Sequence, residues 1–171
     1  MLASLLLAAS PWVSAQGYEL LPWKADQPVP AFEGTDLQGR VWRLADLRGT
    51  VVLINFWASW CEPCRAELPS LQALEQRLGP DKLLVLTVNF KESATTVQRF
   101  SQRNELTLPV LLDGQGMLAR QWGVSVFPST VMINAKGQVQ GVLRGELDWL
   151  GPAATQWIGP MLAPAGHGGR T

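Results

Sequence analysis

The chain contains several short runs of apolar residues, each bounded by glycine, proline or polar residues. The clearest run is Val51–Trp57, which is interrupted only by Asn55. A continuous apolar run of this length is typical of a strand that is buried on both faces of a sheet. A second buried strand is predicted at Leu83–Val88, and further strands are predicted at Val110–Leu112, Ser129–Ile133 and Val139–Leu143. The last two are expected to pair as a hairpin.

A second pattern, with apolar residues three or four positions apart, alternates with these strands. In Cys64–Leu78 four leucines have the spacing of a helix with one buried face, and Gly79-Pro80 ends it. Further helices are predicted at Ser93–Asn104, with Ser93 as its cap, at Met117–Trp122, and from Asp148 to about Ile158. Strands that alternate with helices, followed by a closing hairpin and helix, indicate an α/β sandwich.

The ends of the chain have a different composition. Phe32–Leu47 alternates and turns at Gln38-Gly39, which predicts a β-hairpin in front of the main fold. Residues 16–29 contain prolines and few periodic apolar positions, which predicts a linker or an extended lead-in. Residues 161–171 are rich in Gly, Pro and Ala, which predicts a disordered tail. One domain is therefore predicted at residues 30–160.

Composition and charge narrow the class of protein. The chain has 171 residues, of which 47% are hydrophobic and 16% charged, as in a compact globular protein. Lys plus Arg and Asp plus Glu both number 14, so no large field favours nucleic acid as a partner. Residues 1–15 carry no charged side chain and contain the apolar stretch Leu2–Ala9, followed by the small-x-small pattern Val13-Ser14-Ala15. This pattern predicts a secretory signal peptide and an exported protein.

The candidate chemistry lies where the first buried strand meets the first helix. Cys61 and Cys64 are the only cysteines, and they form a Cys-x-x-Cys pair around Glu62-Pro63. A cysteine at the start of a helix is stabilised as a thiolate by free amides and the helix dipole, which predicts Cys61 as the nucleophile. Cys64 follows one turn later, with its Cα about 5 Å away, and can resolve the mixed disulfide. Glu62 opposes the dipole and thereby favours donation of electrons by the dithiol.

Metal binding is the main structural alternative for two cysteines at this spacing. A zinc site needs four ligands, and His167 in the predicted tail is the only other soft candidate. We therefore predict no metal and no cofactor other than a redox-active Cys61–Cys64 disulfide.

The segment Phe56–Cys64 resembles the active-site segment of thioredoxin-fold proteins. The Glu62-Pro63 pair resembles the TlpA/ResA-like thiol-disulfide oxidoreductases, in the redoxin or AhpC/TSA-like branch of the superfamily. The likeness continues through Val88-Asn89, Gly123-Val124, Phe127-Pro128-Ser129-Thr130 and Ile133-Asn134, and spans about Pro30 to Ile158.

The resemblance implies a thioredoxin-like fold, with a central mixed sheet flanked by helices and an N-terminal hairpin extension. It also implies a periplasmic enzyme that reduces disulfides in protein substrates. We expect the enzyme to be a monomer. Members of that group often act in cytochrome c maturation and are recharged by a membrane electron-donor protein.

The resemblance also implies roles for individual residues. Glu67 matches an acid that lies beneath the dithiol and shuttles protons, whereas without the resemblance it would be interpreted as a solvated helix residue. Asn55 falls where cytosolic thioredoxins have a buried acid, which leaves Glu67 as the candidate base for Cys64. Pro128 matches a cis-proline beside the dithiol. Substrate-binding residues are then expected at four positions: Trp60, Pro63, Phe127 and Pro128.

Three other functions remain open at this point. A disulfide-donating oxidase would use the same residues and differ only in reduction potential. A Cu(I) chaperone could hold the metal with two thiolates. Related copper-delivery proteins, however, have a wider cysteine spacing and a well-placed histidine, and this chain has neither. A peroxiredoxin-like peroxidase would need Pro and Thr where the chain has Ile54 and Ala58.

Overall fold

A six-stranded mixed sheet forms the centre of the molecule. The computed structural model describes residues 17–24 and 26–162. The strands are β1 (Tyr18–Pro22), β2 (Glu33–Thr35), β3 (Val41–Arg43), β4 (Val51–Trp57), β5 (Leu83–Phe90), β6 (Val110–Asp113), β7 (Ser129–Ile133) and β8 (Val139–Gly145). The large sheet has the order β1-β8-β7-β4-β5-β6, and β2 pairs with β3 as a separate hairpin. Strand β4 runs parallel to β5 and antiparallel to β7.

Helices cover both faces of this sheet. They are α1 (Glu62–Leu78), α2 (Ala94–Arg103), α3 (Met117–Gln121) and α4 (Pro152–Leu162), with a 3-10 helix at Leu44–Leu47. On one face Leu53 of β4 packs with Leu71 of α1 and Ile158 of α4. On the other face Ile54 packs with Trp42 of the hairpin and with Trp122. All seven residues of β4 are buried, which is why its sequence is apolar except at Asn55 and does not alternate.

The predicted α/β arrangement with its N-terminal hairpin is confirmed, but the linker prediction is wrong at Tyr18–Pro22. This segment forms β1, which pairs antiparallel with β8 at the edge of the sheet. Tyr18 and Leu20 pack against the face covered by α1 and α4. Pro22 ends the strand, and an edge position accommodates a residue without an N–H.

The last helix differs from its predicted bounds at both ends. It begins at Pro152, because Asp148 forms a turn in which its carboxylate accepts the N–H of Leu150 and its carbonyl accepts that of Gly151. It continues to Leu162, so the predicted domain end at residue 160 is too early. Met161 and Leu162 pack against the core. The predicted cap of α2 is confirmed, since the Ser93 hydroxyl accepts the N–H of Thr96.

Two of the predicted segments lie outside the described residues: the signal peptide at 1–15 and most of the tail, residues 163–171. Among the helices that the structure describes, none has the length and apolar character needed to cross a bilayer.

Candidate active site

The dithiol lies at the junction between β4 and α1, in its oxidised form. Cys61 and Cys64 are joined by a disulfide with an S–S distance of 2.06 Å and a Cα–Cα distance of 5.3 Å, close to the predicted separation. Cys61 is the N-cap of α1, and its Sγ accepts the backbone N–H of Cys64 at 3.3 Å. Cys61 is 6% exposed, whereas Cys64 is 0% exposed. The more exposed cysteine is therefore the one whose sulfur the start of the helix stabilises.

Glu67 lies one helical turn beyond Cys64, and it is buried rather than solvated. Its side chain is 1% exposed. Oε1 accepts the indole N–H of Trp149 at 2.8 Å and the backbone N–H of Leu147 at 3.3 Å. Burial raises the pKa of Glu67 to about 7, although these two hydrogen bonds and one from Asn55 act in the opposite direction. A carboxyl with this pKa can both accept and release a proton near neutral pH.

Asn55, which interrupts the apolar run of β4, hydrogen-bonds to the second carboxylate oxygen of Glu67. Its Nδ2 donates to Glu67 Oε2 and to Thr130 Oγ1, both at 3.0 Å. Thr130 is its cross-strand partner on β7. Asn55 Oδ1 has no hydrogen-bond partner among the described residues. The sequence indicated Asn55 only as a missing acid and did not single out Trp149, so neither hydrogen bond to Glu67 was predicted.

Glu92 holds the loop that leads into Cys61. Its Oε2 accepts the backbone N–H of Ser59 and the side-chain amide of Asn89, both at 2.7 Å. Its Oε1 accepts the Ser59 hydroxyl at 2.5 Å. The sequence prediction of the site did not include Glu92. A signal existed, because the carboxyl ends of parallel strands meet at one edge of a sheet, and Trp57 and Asn89 are register partners there.

Replacing Glu92 is expected to loosen this loop. Glu92→Ala removes every acceptor for the three donors and should lower the free energy of unfolding by about 2 kcal/mol. Glu92→Gln is the matched control, because its carbonyl can accept from the Ser59 amide and Asn89 while its amide donates to the Ser59 hydroxyl. Denaturant unfolding of both variants tests this role, and equal stability of the two variants would contradict it.

Of the predicted substrate-binding residues, Trp60 and Pro63 adjoin the cysteines in the chain, and Phe127 packs against the buried cluster that contains Cys61 and Cys64. Trp60 is 66% exposed, and its ring meets that of Phe127 edge-on at 6.4 Å. Phe127 also packs against Phe90 at 4.7 Å, a contact that the sequence did not indicate. The Phe127-Pro128 peptide is cis, as expected from the resemblance, and Pro63 is exposed in the first turn of α1. These residues form an aromatic surface beside Cys61.

The described residues contain no group of three or more His, Cys, Asp or Glu side chains arranged to hold a metal ion. His167, the one further ligand considered from the sequence, lies outside the described residues.

A Cys-x-x-Cys disulfide between a buried strand and a helix, within this mixed sheet, defines a thiol-disulfide oxidoreductase with a thioredoxin-like fold. Residues 25–142 match the AhpC/TSA family, and the chain belongs to that family.

Relatives and solved structures agree with this class. The chain is 36% identical to the thiol-disulfide oxidoreductase ResA of Geobacillus thermodenitrificans over 119 residues, which cover 70% of this chain and 68% of the relative. It is 37% identical to the thioredoxin-like protein YneN of Bacillus subtilis over 124 residues, covering 71% and 72%. A secreted thiol-disulfide isomerase from Corynebacterium glutamicum superposes with a TM-score of 0.73 at 27% identity, covering 92% of this chain and 98% of that one. The predicted fold and enzyme class are thereby confirmed.

Proposed function

We propose that this enzyme is a reductase of protein disulfides in which Cys61 is the nucleophile. The Cys61 thiolate attacks one sulfur of the substrate disulfide, and the other substrate sulfur leaves as a thiolate. Cys64 then attacks Cys61 Sγ, which forms the Cys61–Cys64 disulfide and releases the second substrate thiol. Two electrons pass from the dithiol to the substrate. The observation that carries this proposal is the hydrogen bond to Cys61 Sγ, combined with the complete burial of Cys64.

The second step requires Cys64 to lose a proton in a buried environment, and Glu67 is the proposed acceptor. Residues three apart on a helix lie on the same face, so the carboxylate is a neighbour of Cys64. When Glu67 takes up the proton, its O–H needs an acceptor. Rotation of the Asn55 amide by 180° would present Oδ1, which otherwise has no partner among the described residues. Asn55 can therefore support both protonation states of Glu67.

The expected substrate is a protein segment that contains a disulfide and exposed apolar side chains. The aromatic surface formed by Trp60, Phe127 and Phe90 offers such a segment a contact next to Cys61. Pro63 and Pro128 border the same site and are proposed to shape it.

We further propose that the enzyme acts outside the cytoplasm, in the periplasm, as a monomer. The secreted isomerase from Corynebacterium glutamicum and the uncharged apolar N-terminus support this location. Reduced enzyme would be regenerated there by a membrane electron-donor protein. Cytochrome c maturation is the proposed process that uses the reduced thiols.

The reduction potential of the Cys61–Cys64 couple tests the direction of exchange. We expect a value near or below about −250 mV, in the range of thioredoxin, when the protein is equilibrated with dithiothreitol or glutathione buffers. A value near about −120 mV, typical of strong oxidants, would instead make the protein a disulfide donor. The fraction of reduced protein can be read by thiol alkylation and mass spectrometry.

A further inference from the structure

An open groove of about 500 Å³ lies beside the active site, between the start of α1 and the exposed side of α2. Three arginines line it: Arg65 of α1, and Arg99 and Arg103 of α2. Arg99 and Arg103 are four residues apart and therefore lie one turn apart on the same helix face. All three residues are exposed.

Two of the residues that line the groove lie close to the dithiol in the chain. Ser59, which also lines it, stands two residues before Cys61 and is held in place by Glu92. Arg65 lies on the first turn of α1, where its backbone N–H donates to the carbonyl of Cys61 at 3.2 Å. A peptide bound in the groove would therefore pass close to the segment that carries Cys61.

The positive charge of the groove is not neutralised within residues 17–24 and 26–162. In that part of the chain the only ion pair joins Arg43 to Glu33, on the distant hairpin. Glu62 is three residues from Arg65 but forms no ion pair with it. The nearby Glu92 carboxylate accepts its hydrogen bonds from Ser59 and Asn89 and forms no ion pair with the three arginines. Three guanidinium groups thus surround one groove in a chain whose formal net charge is zero.

We propose that this groove binds an acidic segment of the protein whose disulfide is exchanged at Cys61. The inference rests on the proposed function and specifies its substrate class. Guanidinium groups bind carboxylates in a planar, two-pronged geometry, and three of them can engage several acidic side chains. Phe100, which lines the groove and packs against Trp57 with ring centroids 4.9 Å apart, offers an apolar surface to the rest of the segment.

Two disulfide-containing peptides that differ only in their flanking residues test the proposal. One carries Asp and Glu beside the disulfide, and the other carries Asn and Gln. The measured quantity is the ratio of their second-order rate constants of reduction by the reduced full chain. We expect the acidic peptide to react about tenfold faster at low salt, and the ratio to approach one in about 0.5 M salt, since exposed charges are screened.

The triple variant Arg65→Gln/Arg99→Gln/Arg103→Gln should bring that ratio close to one at low salt. Arg77→Gln is the matched control, because Arg77 is exposed at the far end of α1 and should leave the ratio unchanged. An unchanged ratio in the triple variant would overturn the proposal. So would an equal loss of rate with oxidised glutathione, which would assign the groove to small anionic disulfides.

Binding without exchange separates this inference from the proposed function. A cysteine-free acidic peptide is titrated into the oxidised protein, and the amide resonances of α2 are followed by NMR. If these resonances shift saturably in the native protein but not in the triple variant, the groove binds acidic segments. This conclusion would hold even if the native enzyme reduced neither disulfide peptide. The absence of shifts would overturn the acidic-segment proposal, whatever the outcome for reductase activity.

Discussion

Cys61→Ser is expected to abolish disulfide reduction, lowering kcat/KM by roughly 10³-fold or more. Serine has a similar size but stays protonated near neutral pH, so no nucleophile remains at the N-cap of α1. The hydrogen bond from the Cys64 amide to Cys61 Sγ would then meet a hydroxyl instead of a thiolate. Release of thiols from a protein disulfide substrate, followed by a thiol-reactive dye, measures the loss.

Cys64→Ser should behave differently, because attack and resolution are separate steps. This variant keeps the nucleophile and is expected to accumulate a covalent mixed disulfide between Cys61 and the substrate, visible by non-reducing electrophoresis and mass spectrometry. Cys64→Ala should trap the same species, since only loss of the thiol matters. Trapping by Cys61→Ser but not by Cys64→Ser would reverse the two assigned roles.

Glu67→Gln is expected to slow resolution of the mixed disulfide by about 10²-fold at neutral pH, the lower end of the range for general base catalysis. In the native enzyme the carboxylate becomes available as pH rises through the pKa of Glu67, which burial raises to about 7. Glutamine cannot accept the Cys64 proton, so the inflection near pH 7 should vanish from the profile of the resolution step. Single-turnover kinetics between pH 5.5 and 8.5 measure the rate of this resolution step. An unchanged inflection would exclude Glu67 as the base.

The same substitution should change the pH dependence of stability in a defined direction. The pKa of Glu67 lies at about 7 in the folded protein and at its ordinary value of 4.5 when unfolded. Between these values the folded state holds a proton that the unfolded chain releases, so stability falls as pH rises from about 4.5 to 7. The loss is about 3 kcal/mol. Glu67→Gln should lack this loss and be more stable than the native protein above pH 7.

Trp149→Phe is the matched probe of the supporting hydrogen bond. It keeps the aromatic packing but removes the donor to Glu67 Oε1. Because that hydrogen bond lowers the pKa of Glu67, its loss should move the kinetic inflection to higher pH. A purely structural role for Trp149 would reduce stability without moving the inflection.

Local patterns were enough to predict most of the elements and the reactive pair. Apolar runs and helical spacing depend on which side chains face the core, so Val51–Trp57 and the helix through Leu68 and Leu74 were visible in the sequence. Cys61 and Cys64 are only three positions apart, and their chemistry depends on the helix that they begin. The chain by itself therefore determined the class of enzyme and the identity of its dithiol.

The tertiary structure alone decided how that pair is supported. Glu67 meets Asn55 across 12 residues and Trp149 across 82, and Glu92 reaches Ser59 across 33. Strand β1 exists because it pairs with β8 from the other end of the domain. Isolated acids on a helix or after a strand are usually solvated, and a short polar-apolar segment pairs only where an edge is free. The burial of these acids and the pairing of β1 depend on residues that are distant in the sequence. The local spacing of residues does not show which distant segments fold together.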